Sequence, residues 1–129
     1  MGLPLIDMSL KAESTAELQA LLTFLQKWNE VRIAKLEEQG GAFPHPYAPE
    51  LRLRYLPDPI GKEIWPTAEQ ILQRGGANCD GLSAYLAAWL NRHGGRARAV
   101  VRESPGIGWH CVVHTPAGEL DPSRVLGMK

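Results

Sequence analysis

The chain has little of several features that mark particular classes of protein. Its 129 residues include only two cysteines, Cys79 and Cys111, and equal numbers of basic and acidic residues, 14 of each. Two cysteines are too few for a disulfide-rich secreted scaffold, so a reducing compartment is expected. Because the formal net charge is zero, the chain has no excess of positive charge with which to bind a phosphate backbone. Nucleic acid is therefore not an expected partner.

Long apolar runs are also missing. A membrane-spanning helix needs about 20 consecutive apolar residues, and no such stretch occurs. Residues 1–8 lack the basic start and apolar centre of a secretory signal peptide. We therefore expect a cytoplasmic protein with no membrane partner.

The length predicts a single domain over 1–129, with an N-terminal helix and proline-rich loop at 1–64 and a core at 65–129.

The N-terminal part predicts one long amphipathic helix. Ser14 and Glu17 have the spacing of a capping box, and Gly40-Gly41 would end the helix. Apolar residues recur between them at helical intervals. We expect this apolar face to cover the rest of the domain, with docking on a partner as the alternative. The face contains Leu18, Leu21, Leu22, Leu25, Trp28, Ile33 and Leu36.

Proline interrupts the segment 43–59. Five prolines there predict an ordered loop, with at most a short strand at 51–55. Long loops in compact domains often carry function, so His45, Tyr47 and Tyr55 are candidates to line a substrate groove. A loop that simply wraps over the core is the plainer interpretation. The prolines are Pro44, Pro46, Pro49, Pro57 and Pro59.

Cys79 is placed where a thiol becomes reactive. It follows the glycine-containing run 74–78, which we expect to be flexible, and it begins a helical stretch over 80–93 that Gly94-Gly95 ends. Unpaired N–H groups and the dipole at a helix N-terminus stabilise a thiolate. Asp80, in the same first turn, would stabilise the helix by the same charge–dipole effect.

The remaining pattern predicts a small antiparallel meander. Strands are expected over 96–102 and 109–115, joined by a turn at 104–108, with a second turn at 115–118. A short helix over 67–74 precedes the cysteine. Because the apolar face of the Cys79 helix needs a cover, we expect the meander to pack against it. The fold class is therefore α+β.

A base and a carboxylate follow the cysteine along the chain. His110 would take the thiol proton, and Asp121 would orient the imidazole. His114 is an alternative base, because residues i and i+4 of a strand share a face. A hairpin about Ala117-Gly118 would even place Asp121 opposite His114. We retain His110 because it begins its strand after a glycine turn.

These residues give the C-terminal half a resemblance to the transglutaminase-like cysteine peptidase superfamily. The resemblance implies a papain-like core, with a catalytic helix on a small antiparallel sheet, and suggests a bacterial or phage-encoded protein. A phage protein of this kind would be virion-associated. The motifs that carry the resemblance, within 65–128, are Trp65 to Leu72, Gly76 to Asp80, the helix ending at His93-Gly94-Gly95, the strand 97–101, Trp109-His110 and Asp121-Pro122-Ser123.

The resemblance also implies a reaction. A thiolate would attack an amide carbonyl and form an acyl-enzyme thioester; release by water makes a peptidase or amidase, and release by an amine makes a transglutaminase. The backbone N–H of Cys79 would be one oxyanion donor. For the second we favour Gln73, which lies six residues before the cysteine as in papain-like peptidases. An indole, Trp65 or Trp109, is the alternative, as in animal transglutaminases.

Three rival interpretations stay open. Cys79, His110, His114 and Asp121 would ligate zinc if they converged, although no spacing typical of a zinc site is present. A disulfide between Cys79 and Cys111 would remove the nucleophile, whereas we expect Cys111 to be a small buried hydrophobe. A non-catalytic assembly module would keep the fold and bind a partner. Our expectation is an enzyme with no metal or cofactor and a protein or peptide substrate.

Overall fold

The computed structural model of the chain describes residues 14–58, 64–104 and 108–129. Their mixture of helices and strands confirms the α+β class. Residues 1–8, Pro59 and the turn residues 105–107, about which the sequence also makes predictions, lie outside these ranges. The elements in chain order are α1 Thr15–Glu38, β1 Arg54–Tyr55, α2 Ala68–Arg74, β2 Gly76–Ala77, α3 Cys79–Arg92, β3 Arg98–Ser104, β4 Gly108–Thr115, β5 Gly118–Leu120 and α4 Pro122–Val125.

Helix α1 forms where the sequence predicts it and packs inside the molecule. The Ser14 hydroxyl accepts a hydrogen bond from the Glu17 N–H at 3.2 Å, and the chain leaves the helix through Gly40, whose φ is +83°. Its apolar face packs on α3 and β3. The expected intramolecular role of this face is confirmed. Its buried apolar residues are Leu18, Leu22, Leu25 and Ile33.

Among the described residues, no helix is both long enough and apolar enough to cross a bilayer.

Two glutamines of α1 cover the open edge of the main sheet, whose strand order β3-β4-β5 leaves β3 at an edge. Gln26 accepts from the Ala99 N–H at 2.8 Å and donates to the Ala97 carbonyl at 3.1 Å. Gln19 accepts from the Val101 N–H at 2.8 Å and donates to the Ala99 carbonyl at 3.0 Å. These amides pair backbone groups that an edge strand otherwise leaves open.

The register of β4 and β5 differs from the predicted hairpin. Thr115 pairs with Gly118 and His114 pairs with Glu119, so Pro116 and Ala117 form the turn. The prediction that Asp121 would lie opposite His114 is therefore wrong. The reason is local: a turn one residue earlier shifts every partner on β5 by two positions.

The run before Cys79 contains an ordered strand, so the prediction of a flexible segment is also wrong. Strand β2 pairs in parallel with β1, Arg54 with Gly76 and Tyr55 with Ala77. A Cβ atom at position 76 would collide with the Arg54 carbonyl oxygen, so only glycine allows this approach. The pairing fixes the backbone that leads into the Cys79 helix.

Helix α3 is enclosed more completely than its sequence predicts. We expect one buried stripe, yet every residue from Cys79 to Ala88 is buried, because α1, α2, α4 and the strands β2, β3 and β4 all contact the helix. The proline-rich loop also attaches to α3. Tyr85 donates to the Pro44 carbonyl at 2.6 Å, and the Trp89 indole donates to the Phe43 carbonyl at 2.9 Å. In its described part this segment is the expected ordered loop, with a 3-10 turn over Pro49–Leu51.

Candidate active site

Cys79 is the first residue of α3. Asn78 caps the helix, its side-chain oxygen accepting from the Gly81 N–H at 3.3 Å. Cys79 is 9% exposed and belongs to a core cluster with residues of α1, α3 and the sheet. The first N–H groups of a helix have no helical acceptor. The thiol is therefore recessed beside backbone donors.

His110 and Asp121 meet beside this thiol. His110, on β4, places Nε2 2.9 Å from Oδ2 of Asp121. Asp121 is held as the cap of α4, accepting from the Arg124 N–H at 3.3 Å. Hydrogen bonding to Cys79 and to Asp121 raises the pKa of His110, against the opposing effect of burial. Because Nε2 faces the carboxylate, Nδ1 is the ring nitrogen left for the thiol.

Two residues, Cys111 and His110, act on the acidity of the Cys79 thiol. A hydrogen bond from the Cys111 thiol, with smaller effects of the His110 ring and the Cys111 N–H, lowers the pKa of Cys79 to about 5 against the cost of burial. The same hydrogen bond and burial raise the pKa of Cys111, so Cys111 keeps its proton. Cys111 is buried, as expected, but it is more than a small hydrophobe. Sequence reasoning missed this contact, for which adjacency to His110 is the only signal.

His114 is not joined to Cys79 or Asp121. It lies on an exposed part of β4, with Nε2 3.2 Å from Oε1 of Glu119. The strand ends at Leu120, and Asp121, the cap residue before α4, contacts His110 rather than His114. Of the two candidate bases, the structure brings only His110 to the carboxylate.

The candidate oxyanion donors also differ in where they lie relative to Cys79. Gln73 is exposed and lines a cavity of about 370 Å³ between α1 and α2, whose walls do not include Cys79. The assignment of Gln73 as an oxyanion donor therefore gains no contact with the thiol and stays a prediction. Trp65 is buried in the Cys79 cluster, and its indole N–H has no partner. Trp109 is half-buried against the same cluster.

An acidic group flanks the thiol. Asp80 is 1% exposed, and Asn78 Nδ2 donates both to it at 3.3 Å and to Asp58 at 2.6 Å. Burial, with the charges of Cys79 and Asp58, raises the pKa of Asp80 well above its usual range. Asp80 lies in the first turn of α3 as expected, but burial favours its uncharged acid over the charged form that a charge–dipole interaction needs.

The three residues of segment 43–59 that are candidates to line a substrate groove, His45, Tyr47 and Tyr55, have different surroundings. Tyr47 packs against the Cys79 cluster with its hydroxyl unpartnered, and burial and the Asp121 charge raise its pKa to about 12. Tyr55, on β1, pairs with Ala77 two residues before Cys79, and its pKa is raised by burial and then by the charge of Cys79. His45 instead packs on Trp89, with ring centroids 4.5 Å apart.

Neither the zinc nor the disulfide alternative gains support. Within the described ranges, no group of three or more His, Cys, Asp or Glu side chains is arranged to hold a metal ion. His114, one of the four candidate ligands, is paired with Glu119 instead. Both cysteines are free thiols.

Comparisons of the chain with protein-family models, with curated proteins and with solved structures give no match. The function is therefore inferred from the arrangement of Cys79, His110 and Asp121 and from the chemistry of those groups.

Proposed function

We propose that this protein is a thiol-dependent hydrolase that cleaves an amide or isopeptide bond in a protein or peptide. The observation that carries the proposal is the arrangement of three groups. A cysteine with a lowered pKa begins a helix, a histidine on the neighbouring strand interacts with it, and Asp121 lies 2.9 Å from that histidine. A nucleophile, a base and an orienting acid in this order are typical of covalent acyl transfer.

The residues divide the reaction between them. The Cys79 proton moves to Nδ1 of His110, and the sulfur attacks the carbonyl carbon. The C–N bond then breaks, His110 returns its proton to the amine, and an acyl thioester stays on Cys79. Water attacks the thioester, giving one proton to His110, and that proton returns to the departing sulfur. Asp121 stabilises the charged imidazolium and fixes its orientation.

The developing oxyanion needs donors on the opposite side from the base. The backbone N–H of Cys79 lies at the first position of α3, where helical acceptors are absent. The Trp65 indole N–H is the best second candidate, because it lies in the Cys79 cluster and has no partner. We prefer Trp65 to Gln73, because Gln73 is exposed and lines a cavity whose walls do not include Cys79.

The fold supports the same proposal. The helix that carries the nucleophile packs on the antiparallel strand that carries the base, which is the arrangement that the resemblance to the transglutaminase-like superfamily implies. We propose on this basis a papain-like core and a bacterial or phage origin. Acyl transfer to an amine uses the same thioester and differs only in what attacks it.

The test is acylation by an activated ester, p-nitrophenyl acetate, followed by intact-mass and peptide mapping. We expect a rapid release of nitrophenolate, one acetyl group on Cys79, and loss of both in Cys79→Ala. Adding a primary amine separates the two outcomes, because a hydrolase gives mainly acetate and a transferase gives mainly acetamide. An unacylated Cys79 in the folded protein would contradict the proposal.

A further inference from the structure

Asp80 is an unusual neighbour for a thiolate. Its side chain is almost completely buried, Oδ1 has no hydrogen-bond partner, and Oδ2 accepts from Asn78 at 3.3 Å. No Lys, Arg or His of the described residues forms an ion pair with it. A buried carboxylate without a cation is strongly disfavoured, whereas the protonated acid is not.

The neighbouring groups favour a proton on Asp80 rather than on Asp58. Asn78 donates to Asp58 at 2.6 Å, and the Ile64 N–H donates to the same Asp58 oxygen at 3.1 Å. Asp58 is thus the carboxylate that the hydrogen bonds favour as an anion. Among the described residues, the other titratable groups whose charges interact with Asp80 are Cys79, Tyr55 and Cys111, and none of these brings a positive charge.

We propose that Asp80, the neighbour of the nucleophile along α3, is a carboxylic acid that keeps its proton beside the Cys79 thiolate. This inference rests on the proposed function. The thiol proton goes to His110 and the Asp80 proton stays in place, so only one negative charge forms at the start of α3. Asn78 holds the arrangement by capping α3 and bridging the two carboxyl groups.

Infrared spectroscopy tests the protonation state directly. A protonated carboxyl group has a carbonyl stretch well separated from that of a carboxylate. We expect this band in the wild-type protein at pH 6, where an ordinary aspartate is ionised, its loss in Asp80→Asn and its persistence in Asp58→Asn. Absence of the band in the wild-type protein, or its loss only in Asp58→Asn, would overturn the proposal.

Alkylation of Cys79 gives a second, independent measurement. If Asp80 is neutral, Asp80→Asn leaves the pH midpoint of iodoacetamide alkylation near its wild-type value. If Asp80 is an anion, the same change removes a repelling charge and lowers the midpoint by about one unit or more. The second result would overturn the proposal.

The two measurements also separate this inference from the proposed function. A protonated Asp80 beside a thiol with an ordinary alkylation profile would reject the hydrolase but not the retained proton. A thiol reactive at low pH beside an ionised Asp80 would reject the role of Asp80 and leave the hydrolase in place.

Discussion

At the scale of single residues, the acidity of Cys79 depends on its neighbours on β4. A hydrogen bond from the Cys111 thiol and a smaller effect of the His110 ring lower the pKa of Cys79, and the hydrogen bond with Cys79 raises the pKa of His110. Both neighbours are buried and therefore poorly screened by water. The position of a thiol at a helix N-terminus already lowers its pKa. The side chains of Cys111 and His110 lower the pKa of Cys79 further.

Removing the Cys111 donor should make Cys79 less acidic. A hydrogen bond to a charged group contributes about 1.5–3 kcal/mol, and a thiol is a weak donor, so we expect Cys111→Ala to raise the alkylation midpoint by about one unit. Cys111→Ser keeps a donor at the same place and should shift the midpoint less. Equal midpoints in all three proteins would show that the Cys111 thiol does not act on Cys79.

Asp121→Asn should lower the pKa of His110. The asparagine oxygen still caps α4, but it no longer supplies the negative charge that favours the imidazolium. We expect the His110 resonance in an NMR titration to change at lower pH than in the wild-type protein. The matched control is Glu119→Gln, which removes the charged partner of His114. This variant should leave the pH at which the His110 resonance changes as it is in the wild-type protein.

The sequence predicts only part of this site. Cys79, His110 and Asp121 are recognisable because each residue type and its order suit one reaction. The contacts of Cys111 and Asp80 cannot be recognised from the sequence, because they depend on which face of β4 packs against which face of α3. That depends on packing between segments about 30 residues apart.

At the scale of elements, Asn78 holds the start of α3 through its hydrogen bonds. Its oxygen caps the helix, and its amide donates to Asp58 and Asp80. An N-cap replaced by alanine usually costs about 1 kcal/mol. Here the replacement also leaves the buried Asp80 without its donor.

We therefore expect Asn78→Ala to lower the free energy of unfolding by about 2 kcal/mol or more in urea denaturation. Ser14→Ala, which removes only the exposed cap of α1, should cost about 1 kcal/mol or less. If the two variants lost the same stability, the bridging role of Asn78 would be rejected.

Helices were more predictable than strand pairings. The ends of α1, α2 and α3 follow from caps and glycines near in sequence, so local rules suffice. The parallel pairing of β1 with β2 joins segments that local patterns do not connect. The register of β4 with β5 depends on which two residues form the turn, which the sequence Thr115 to Gly118 leaves ambiguous.

At the scale of the whole molecule, α1 joins the helical layer to the sheet through polar side chains as well as apolar ones. Gln26 is 4% exposed and pairs with Ala99 by its oxygen and Ala97 by its nitrogen. The β3 edge therefore does not offer these groups to another chain.

Gln26→Met keeps the approximate size of the side chain and removes both hydrogen bonds to the sheet backbone, together with the one to Glu30. The Ala99 N–H would then be buried without a partner, and we expect a loss of about 1–3 kcal/mol in the free energy of unfolding. Gln19→Met, at a more exposed position, should cost less, because water can replace the lost partner. Light scattering would also report any association through the β3 edge. A loss in Gln26→Met no larger than in Gln19→Met would contradict this explanation.

An activated thiol at position 79 should be visible in the rate of Cys79 alkylation by iodoacetamide from pH 4 to pH 10, followed by intact-mass spectrometry. Because the lowered pKa of Cys79 lies at about 5, the thiolate is lost as the pH falls through that value, and the rate should already be high at pH 6. His110→Ala should move the midpoint upward, whereas His114→Ala should not. An ordinary thiol profile in all three proteins would contradict the account.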